Sequence, residues 1–396
     1  MSRSKSSKAR KCPVCNESMR KKGFTKAGTQ RWKCDVCRLS STMRREDRTR
    51  MTEFRAFLTW ITGKQSMSEA ARSLGLSGSR QFSRRIAWCW NVEPTLPGDS
   101  RFHRYVMVDG TYVPYGWCLL VLTGEDGRPV RWQWCSTETR LAYLQLFRGI
   151  KKPGLLVCDG GQGCLAAVET RWKTVPVQRC LVHVLRNTRI DLTNKPKSKA
   201  GQELLRLVRK LTRVKTADEA AAWLAALNTW HSEHGSYLKE RTTARQDPIH
   251  AKGRKWWWTH ERLRRAYFRL TRLNRSGMLF TFCNPTVVGD GGILPSTTNQ
   301  LEGGVNAVIK RMLDHHRGLS EMHMKRCCEW TVYMLTANPD PMSFIIPEHW
   351  KTKKAESAGH DEPVPGTLTA VQLPTTGINA YENGFGIRTG WAGRSK

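Results

Sequence analysis

The sequence predicts an α/β protein: a strand-bearing domain interrupted by a helical block and preceded by two small basic modules. Three observations carry this reading. Short apolar runs, Tyr105-Val106-Met107-Val108 and Leu155-Leu156-Val157-Cys158, have the length and composition of buried strands. Between them and the last third of the chain, residues 190–280 repeat apolar side chains at helical spacing. Near the N-terminus, four cysteines fall as two C-x2-C pairs among lysines and arginines.

At 396 residues the chain has room for two or three domains and an ample core. It carries 66 Lys and Arg against 33 Asp and Glu, a formal net charge of +33. Such an excess repels itself unless a polyanion neutralises it, so nucleic acid is the expected partner. An anionic membrane is the rival, but no apolar run reaches membrane-spanning length and the N-terminus lacks the apolar core of a signal peptide. Most of the 13 cysteines stand singly among apolar neighbours, Cys89, Cys118 and Cys158 for example, which fits reduced core residues and a cytoplasmic compartment.

The segment 1–50 opens on a basic, Ser-rich arm, Met1 to Arg10, expected to be disordered. It continues with Cys12, Cys15, Cys34 and Cys37, eighteen residues separating the pairs. Each pair presents two thiolates to one tetrahedral zinc, and the interval suits a β-hairpin turning at Gly23 and Ala27-Gly28. The segment has almost no other apolar residues to form a core, so one structural Zn²⁺ is expected in a zinc ribbon. Residues 51–95 read as three short helices. Phe54, Phe57, Leu58 and Ile61 stripe the first, Ser66 with Glu69 caps the second, and the third buries Phe82, Ile86 and Trp90 while Arg80, Arg84 and Arg85 stay outside. That order suggests a helix-turn-helix whose last helix enters a major groove, although any basic three-helix bundle would read alike.

From residue 100 the expected order is strand-strand-strand-helix-strand-helix-strand. Trp117 to Leu122 and Val130 to Trp134 flank the turn Asp126-Gly127, a helix covers 141–150, and a last short strand spans Val175 to Val184 with Cys180 and His183 on it. The block 190–289 then reads as all-helical. Leu204, Leu207, Val208 and Leu211 share one face, Thr216 and Glu219 cap the next helix, and an Arg-rich helix starts near Trp258. A strand at Leu279–Phe282, a flexible turn at Gly289–Gly292 and helices over 298–313 and 321–335 complete the domain. Residues 341–396, rich in Pro, Gly and Thr, read as a tail with little structure.

Asp109 and Asp159 each end an apolar run and each precede glycine, while Glu302 lies on a helix between Thr298-Asn299 and Gly303-Gly304. Strand-end carboxylates beside an open backbone suit a hard cation, and three converging acids need a cation to offset their repulsion. Taken singly, each has a plainer reading as a turn cap or a solvated helix residue; their order and neighbourhood point to a two-metal site for phosphodiester chemistry.

These motifs carry a resemblance. Val108-Asp109-Gly110, Cys158-Asp159-Gly160-Gly161, Cys180-Leu181-Val182-His183 and Thr298-Asn299-Gln300-Leu301-Glu302-Gly303, with 142 residues between Asp159 and Glu302, resemble the mutator-type Asp-Asp-Glu transposases of bacterial insertion sequences over residues 100–340. The resemblance implies a ribonuclease-H-like catalytic domain (100–189 and 290–340) interrupted by the helical insertion. It implies a catalytic triad of Asp109, Asp159 and Glu302 with two Mg²⁺ or Mn²⁺ ions. It also implies cleavage and strand transfer on double-stranded DNA, at element ends and target, by a homo-oligomer at the bacterial nucleoid. Cys180 and His183 match the family's pair, yet two ligands do not complete a zinc site, so a core Cys and a hydrogen-bonded His stay open. Asn306 and Lys310, one and two turns beyond Glu302, are candidates for facing DNA.

The stretch 252–275 mixes arginines with Trp256, Trp257 and Trp258, a composition that suits a distorted or single-stranded backbone; Lys255, Trp257, Arg264 and Arg265 are the expected contacts. Two other functions remain consistent with parts of the chain. A non-catalytic zinc-ribbon and helix-turn-helix regulator explains the charge and cysteines but not the acids. A ribonuclease-H-like nuclease would cleave without joining. No nucleophile stands in the arginine constellation a serine or tyrosine recombinase requires.

Overall fold

The computed structural model describes residues 10–350, apart from 13, 14, 16, 27, 43–45, 97, 290 and 291. The expected basic arm over 1–9, the centre of the turn at 289–292 and most of the expected tail, 351–396, lie outside the described residues. Those described divide into two units, one holding 10–93 with 341–350, the other 94–340.

In the first unit, β1 (Arg10–Lys11), β2 (Ser18–Phe24), β3 (Gln30–Cys34) and β4 (Ser40–Ser41) form an antiparallel sheet in sequence order. Its hairpin sets Met19 opposite Cys34. Among the described residues only Cys12, Met19, Trp32 and Cys34 are buried there, so side-chain packing is a thin reason for this module to fold. Three helices follow, α1 (Glu46–Thr62), α2 (Met67–Ser73) and α3 (Ser79–Ile86). The expected capping box is present, Ser66 Oγ accepting from the Glu69 amide and Glu69 reaching back to the Ser66 amide. Phe54, Phe57, Trp60, Phe82 and Trp90 build an aromatic core with ring centroids 4.8–6.4 Å apart, an edge-to-face geometry at several pairs. Trp90 lies not on α3 but on the 3₁₀ turn Ala87–Asn91 that continues it. The first residues of the expected tail carry two 3₁₀ turns, Pro341–Phe344 and Pro347–His349, and bring Trp350 edge-on to Trp88 at 5.4 Å.

The second unit is built on a mixed five-stranded sheet. β5 (Val106–Val113), β6 (Trp117–Thr123) and β7 (Pro129–Cys135) form an antiparallel meander; β8 (Leu156–Cys158) and β9 (Val177–Arg179) add in parallel, giving the order β7-β6-β5-β8-β9. Helices α4 (Arg140–Leu146) and α5 (Gln162–Arg171) supply the connections the parallel strands require. Val106, Val108, Leu156 and Cys158 face one layer with Tyr143, Phe147 and Trp172. Met107, Leu155 and Val157 face the other, with Leu181, Val184, Leu204 and Leu270. Burial on both faces is why these strands read as unbroken apolar runs.

The second layer consists of α6 (Leu181–Leu192), α7 (Lys199–Arg209), α8 (Ala217–His234) and α9 (Glu261–Arg275). It shares a hydrophobic core with the sheet, and it is not all helical. β10 (Arg241–Thr243) and β11 (Trp256–Trp258) pair as an antiparallel ribbon, so the tryptophan run is a strand and the Arg-rich helix begins only at Glu261. The expected strand over 175–184 stops at Arg179. Leu181, Val184, Thr188 and Leu192 follow at helical spacing, and Cys180 caps the helix that carries His183. Nor is 279–282 a strand: it is a 3₁₀ turn, Thr281–Cys283, tied to the edge of β9. The Gln178 side chain donates to the Leu279 carbonyl at 3.0 Å and accepts from the Phe282 amide at 3.1 Å, blocking an otherwise open sheet edge. Beyond α10 (Pro285–Val288), the chain returns to the sheet as α11 (Asn299–Leu301), a π-helical turn at Glu302–Asn306, α12 (Ala307–His315) and α13 (Glu321–Met334).

Candidate active site

Asp159 follows the last residue of β8, as expected. Asp109 does not end its strand: β5 runs on to Val113, paired with β6, while its parallel pairing with β8 stops at Val108 opposite Cys158. The two aspartates therefore stand side by side where two neighbouring strands part, a place where sheets of this kind hold ligands. Glu302 reaches the same place from the π-helical turn. Asp109, Asp159 and Glu302 line one cavity of about 320 Å³ with Gly110, Glu138, His183, Arg186, Ile190, Asn306 and Lys310.

Each acid is oriented by a donor. Asn306 Nδ2 donates to Asp109 Oδ2 at 2.8 Å, the Gly161 amide to Asp159 Oδ1 at 2.9 Å, and Thr298 Oγ1 lies 2.7 Å from Glu302 Oε1. Asn306 thus serves the cavity rather than solvent, whereas Lys310 is exposed at its margin. Burial, and then the charges of Asp159, Glu302 and Glu138, hold the Asp109 carboxyl well above the usual carboxylate range. Cys180 and His183 adjoin Glu302, the three ligand atoms lying within 4.8 Å of one another, with His183 Nδ1 3.7 Å from Glu302 Oε1. Burial favours the neutral forms of this pair, but the hydrogen bond and charge between them prevail, lowering the Cys180 thiol and raising the His183 imidazole. The Thr298 amide and hydroxyl also meet Cys180 Sγ, at 3.4 and 3.3 Å, so the pair braces the segment that carries Glu302.

The cavity suits a hard cation. Its carboxylates oppose one another, and a buried polar atom in its wall, Asn306 Oδ1, lacks a hydrogen-bond partner. Gly160 has a structural requirement of its own. Its φ is +75°, and a Cβ there would stand 1.7 Å from Arg179 Nη1, which donates to the Gly160 carbonyl.

Glu138, between β7 and α4, is the residue sequence reasoning missed. Burial, then the charge of Asp159, push its carboxyl up to about 7 against hydrogen bonds from Tyr143 and Tyr112. The available signal was an acid at a strand-to-helix junction of the same sheet. It lacked the Asp-Gly pattern that marked the other two.

The second cavity of note, about 840 Å³, is lined by Arg179, Arg264, Arg265, Arg269, Arg272 and Trp258 over Leu165, Phe268, Leu273 and Met278. Several of these cations are already engaged. Arg265 and Arg269 share the buried Asp191 at 2.5 Å each, and Arg264 lies 3.8 Å over Trp258 while donating to the Leu238 carbonyl. Trp257, 5.5 Å from Arg254, lines a separate cavity, and Lys255 is exposed beside it. On α3, Arg80, Arg84 and Arg85 are exposed, but Arg85 pairs with the buried Glu53 at 3.0 Å.

In the first unit the sulfurs of Cys12, Cys15, Cys34 and Cys37 lie within 4.8 Å of one another. A backbone hydrogen bond at Leu39 lowers the Cys37 thiol, but burial and its three sulfur neighbours raise it to about 12. Four thiols so placed shed their protons together only for a cation, and a tetrahedral Zn²⁺ fits this donor set.

Residues 133–247 match the family described as Transposase, Mutator family. Over that stretch the chain is similar to mutator-family transposases. The match takes in Glu138, Asp159, Cys180 and His183 and supports a mutator-type transposase; Asp109 and Glu302 lie outside it. No curated protein matches the chain. Among the described residues, no helix is long and apolar enough to cross a membrane.

Proposed function

We propose that this chain is a DNA transposase that binds the ends of its element and performs cleavage and strand transfer at Asp109, Asp159 and Glu302. The observation that carries the reading is the convergence of these acids, from two adjacent strands and a helix far along the chain, on one cavity. A mixed sheet with helices on both faces supports a ribonuclease-H-like domain interrupted by the largely helical block.

Two Mg²⁺ or Mn²⁺ ions held by these carboxylates would activate the attacking hydroxyl and stabilise the leaving 3′ oxygen. The chain's own groups do the rest. Asn306, Thr298 and the Gly161 amide fix the carboxylates, while Cys180 and His183 brace Glu302. Arg186 and Lys310 at the cavity wall offer positive charge to the scissile phosphate. Zinc held by the four cysteines would replace the core that the first sheet lacks, and α3 would present Arg80 and Arg84 to a major groove. Lys255, Trp257 and the arginine-lined cavity offer phosphate pairing and ring stacking to distorted DNA.

The test uses Asp109→Asn, Asp159→Asn and Glu302→Gln with the element's own ends. Binding should persist while nicking and strand transfer each fall on the order of 10³-fold or more. Normal nicking by any variant removes that residue from the triad. Nicking without strand transfer by the unaltered chain would make it a nuclease instead.

A further inference from the structure

We propose that Glu138 is a fourth carboxylate of the divalent-cation site, a ligand acting with Asp109 and Asp159; the inference rests on the metal-site reading above. Its placement is built into both aspartate loops. A Cβ at Gly110, the residue after Asp109, would stand 2.8 Å from Glu138 Oε1. One at Gly163, in the first turn after the Asp159 loop, would stand 2.1 Å from the Glu138 carbonyl oxygen. Glycine at these two positions admits the side chain of residue 138 beside Gly110 and its backbone beside Gly163. Tyr143 donates its hydroxyl to Glu138 Oε2 and Cys118 Sγ lies 4.0 Å from Oε1, while the side chain lines the same cavity as the three acids.

Placing a further acid beside two others is unfavourable unless something positive joins them. The plain alternative is that Glu138 only accepts from tyrosine. The independent observation against it is the orphaned wall of the same cavity. Asn306 is 3 % exposed, yet its Oδ1 has no hydrogen-bond partner. A polar atom so deeply buried and unpaired beside four carboxylates points to a cation with its waters.

The test is Mn²⁺ binding to the full chain, read by electron paramagnetic resonance without DNA, so that catalysis plays no part. Asp109→Asn should abolish binding at this site. Glu138→Gln keeps the shape and the tyrosine acceptor, and should weaken Mn²⁺ on the order of tenfold or more. Tyr143→Phe should shift affinity far less than Glu138→Gln. If Asp109→Asn abolishes binding and Glu138→Gln matches the unaltered chain, the fourth-ligand role is overturned and the triad stands. If no Mn²⁺ binding responds to Asp109→Asn, the metal reading itself fails, and this inference with it. Should Glu138→Gln not fold, Glu138→Asp carries the test. Its carboxylate is one methylene short of the cavity, so several-fold weaker binding is expected and unchanged affinity overturns the role.

Discussion

At the scale of single residues, the raised acids of the cavity set a pH dependence whose sign is fixed. Asp109 and Glu138 hold protons in the folded chain that the unfolded chain releases near pH 4. Where the folded state binds more protons, stability falls as pH rises, here from about 4 through the folded value of about 7 for Glu138. Calorimetric unfolding of the metal-free chain should therefore show a loss of melting temperature over this window, and Asp109→Asn should shrink that loss. Mn²⁺ should restore more stability at pH 8 than at pH 6, because the cation and the protons compete for the same oxygens. An equal metal effect at both values would count against the carboxylates as ligands. The aspartates were legible because an apolar run ending in Asp-Gly is a local pattern. Their neighbours in the cavity, Asn306 and Glu138, were not, since each meets the aspartates only through tertiary packing.

Among elements, the sheet and most helices follow from apolar periodicity, and the misreadings have local causes. Trp256-Trp257-Trp258 is β-prone and pairs with Arg241–Thr243, where Arg241 stacks 4.2 and 4.6 Å from two of the rings. Leu181, by contrast, extends an apolar run that resembles a strand, because a short run shows no helical period until Thr188 and Leu192 are included. The three-helix segment depends on Glu53, 3 % exposed and accepting from Arg50, Arg85 and Trp88 at 3.0 Å each. Glu53→Ala should cost about 2 kcal/mol in denaturant unfolding, below a fully buried pair because Arg85 is half exposed. For the cysteine sheet, fragment 1–50 should bind one zinc, and Cys34→Ser should unfold it; a folded, metal-free fragment would refute the zinc ribbon. On α9, Arg272 lines the large cavity, so Arg272→Ala should weaken DNA binding at all sequences and reduce the salt slope by about 1.

For the whole molecule, the proposed DNA binding and a net charge of +33 together predict that phosphate contact is the main source of affinity. If about six phosphates are neutralised, affinity should fall roughly 10³-fold between low and moderate salt, measured by fluorescence anisotropy on duplex ends. A nearly flat salt dependence would contradict this. Charge is readable from composition, and cysteine spacing from the order of residues. The return of Glu302 to the sheet was suggested by its motif, but only folding shows that the long helical block shares a core with Met107, Leu155 and Val157 on its way there.

That return imposes an order in time. Asp109 leaves the ribosome roughly 10–40 s before Glu302 at ordinary synthesis rates. Throughout that interval the growing polypeptide already displays its cysteine pairs and its α3 arginines, and the arginine-rich α9 joins them before its end, yet its acid cluster is incomplete. On the proposed function, a nascent chain would hold DNA before it could cut it, and translation itself would work as a safety interval, ended only when residues 298–306 emerge.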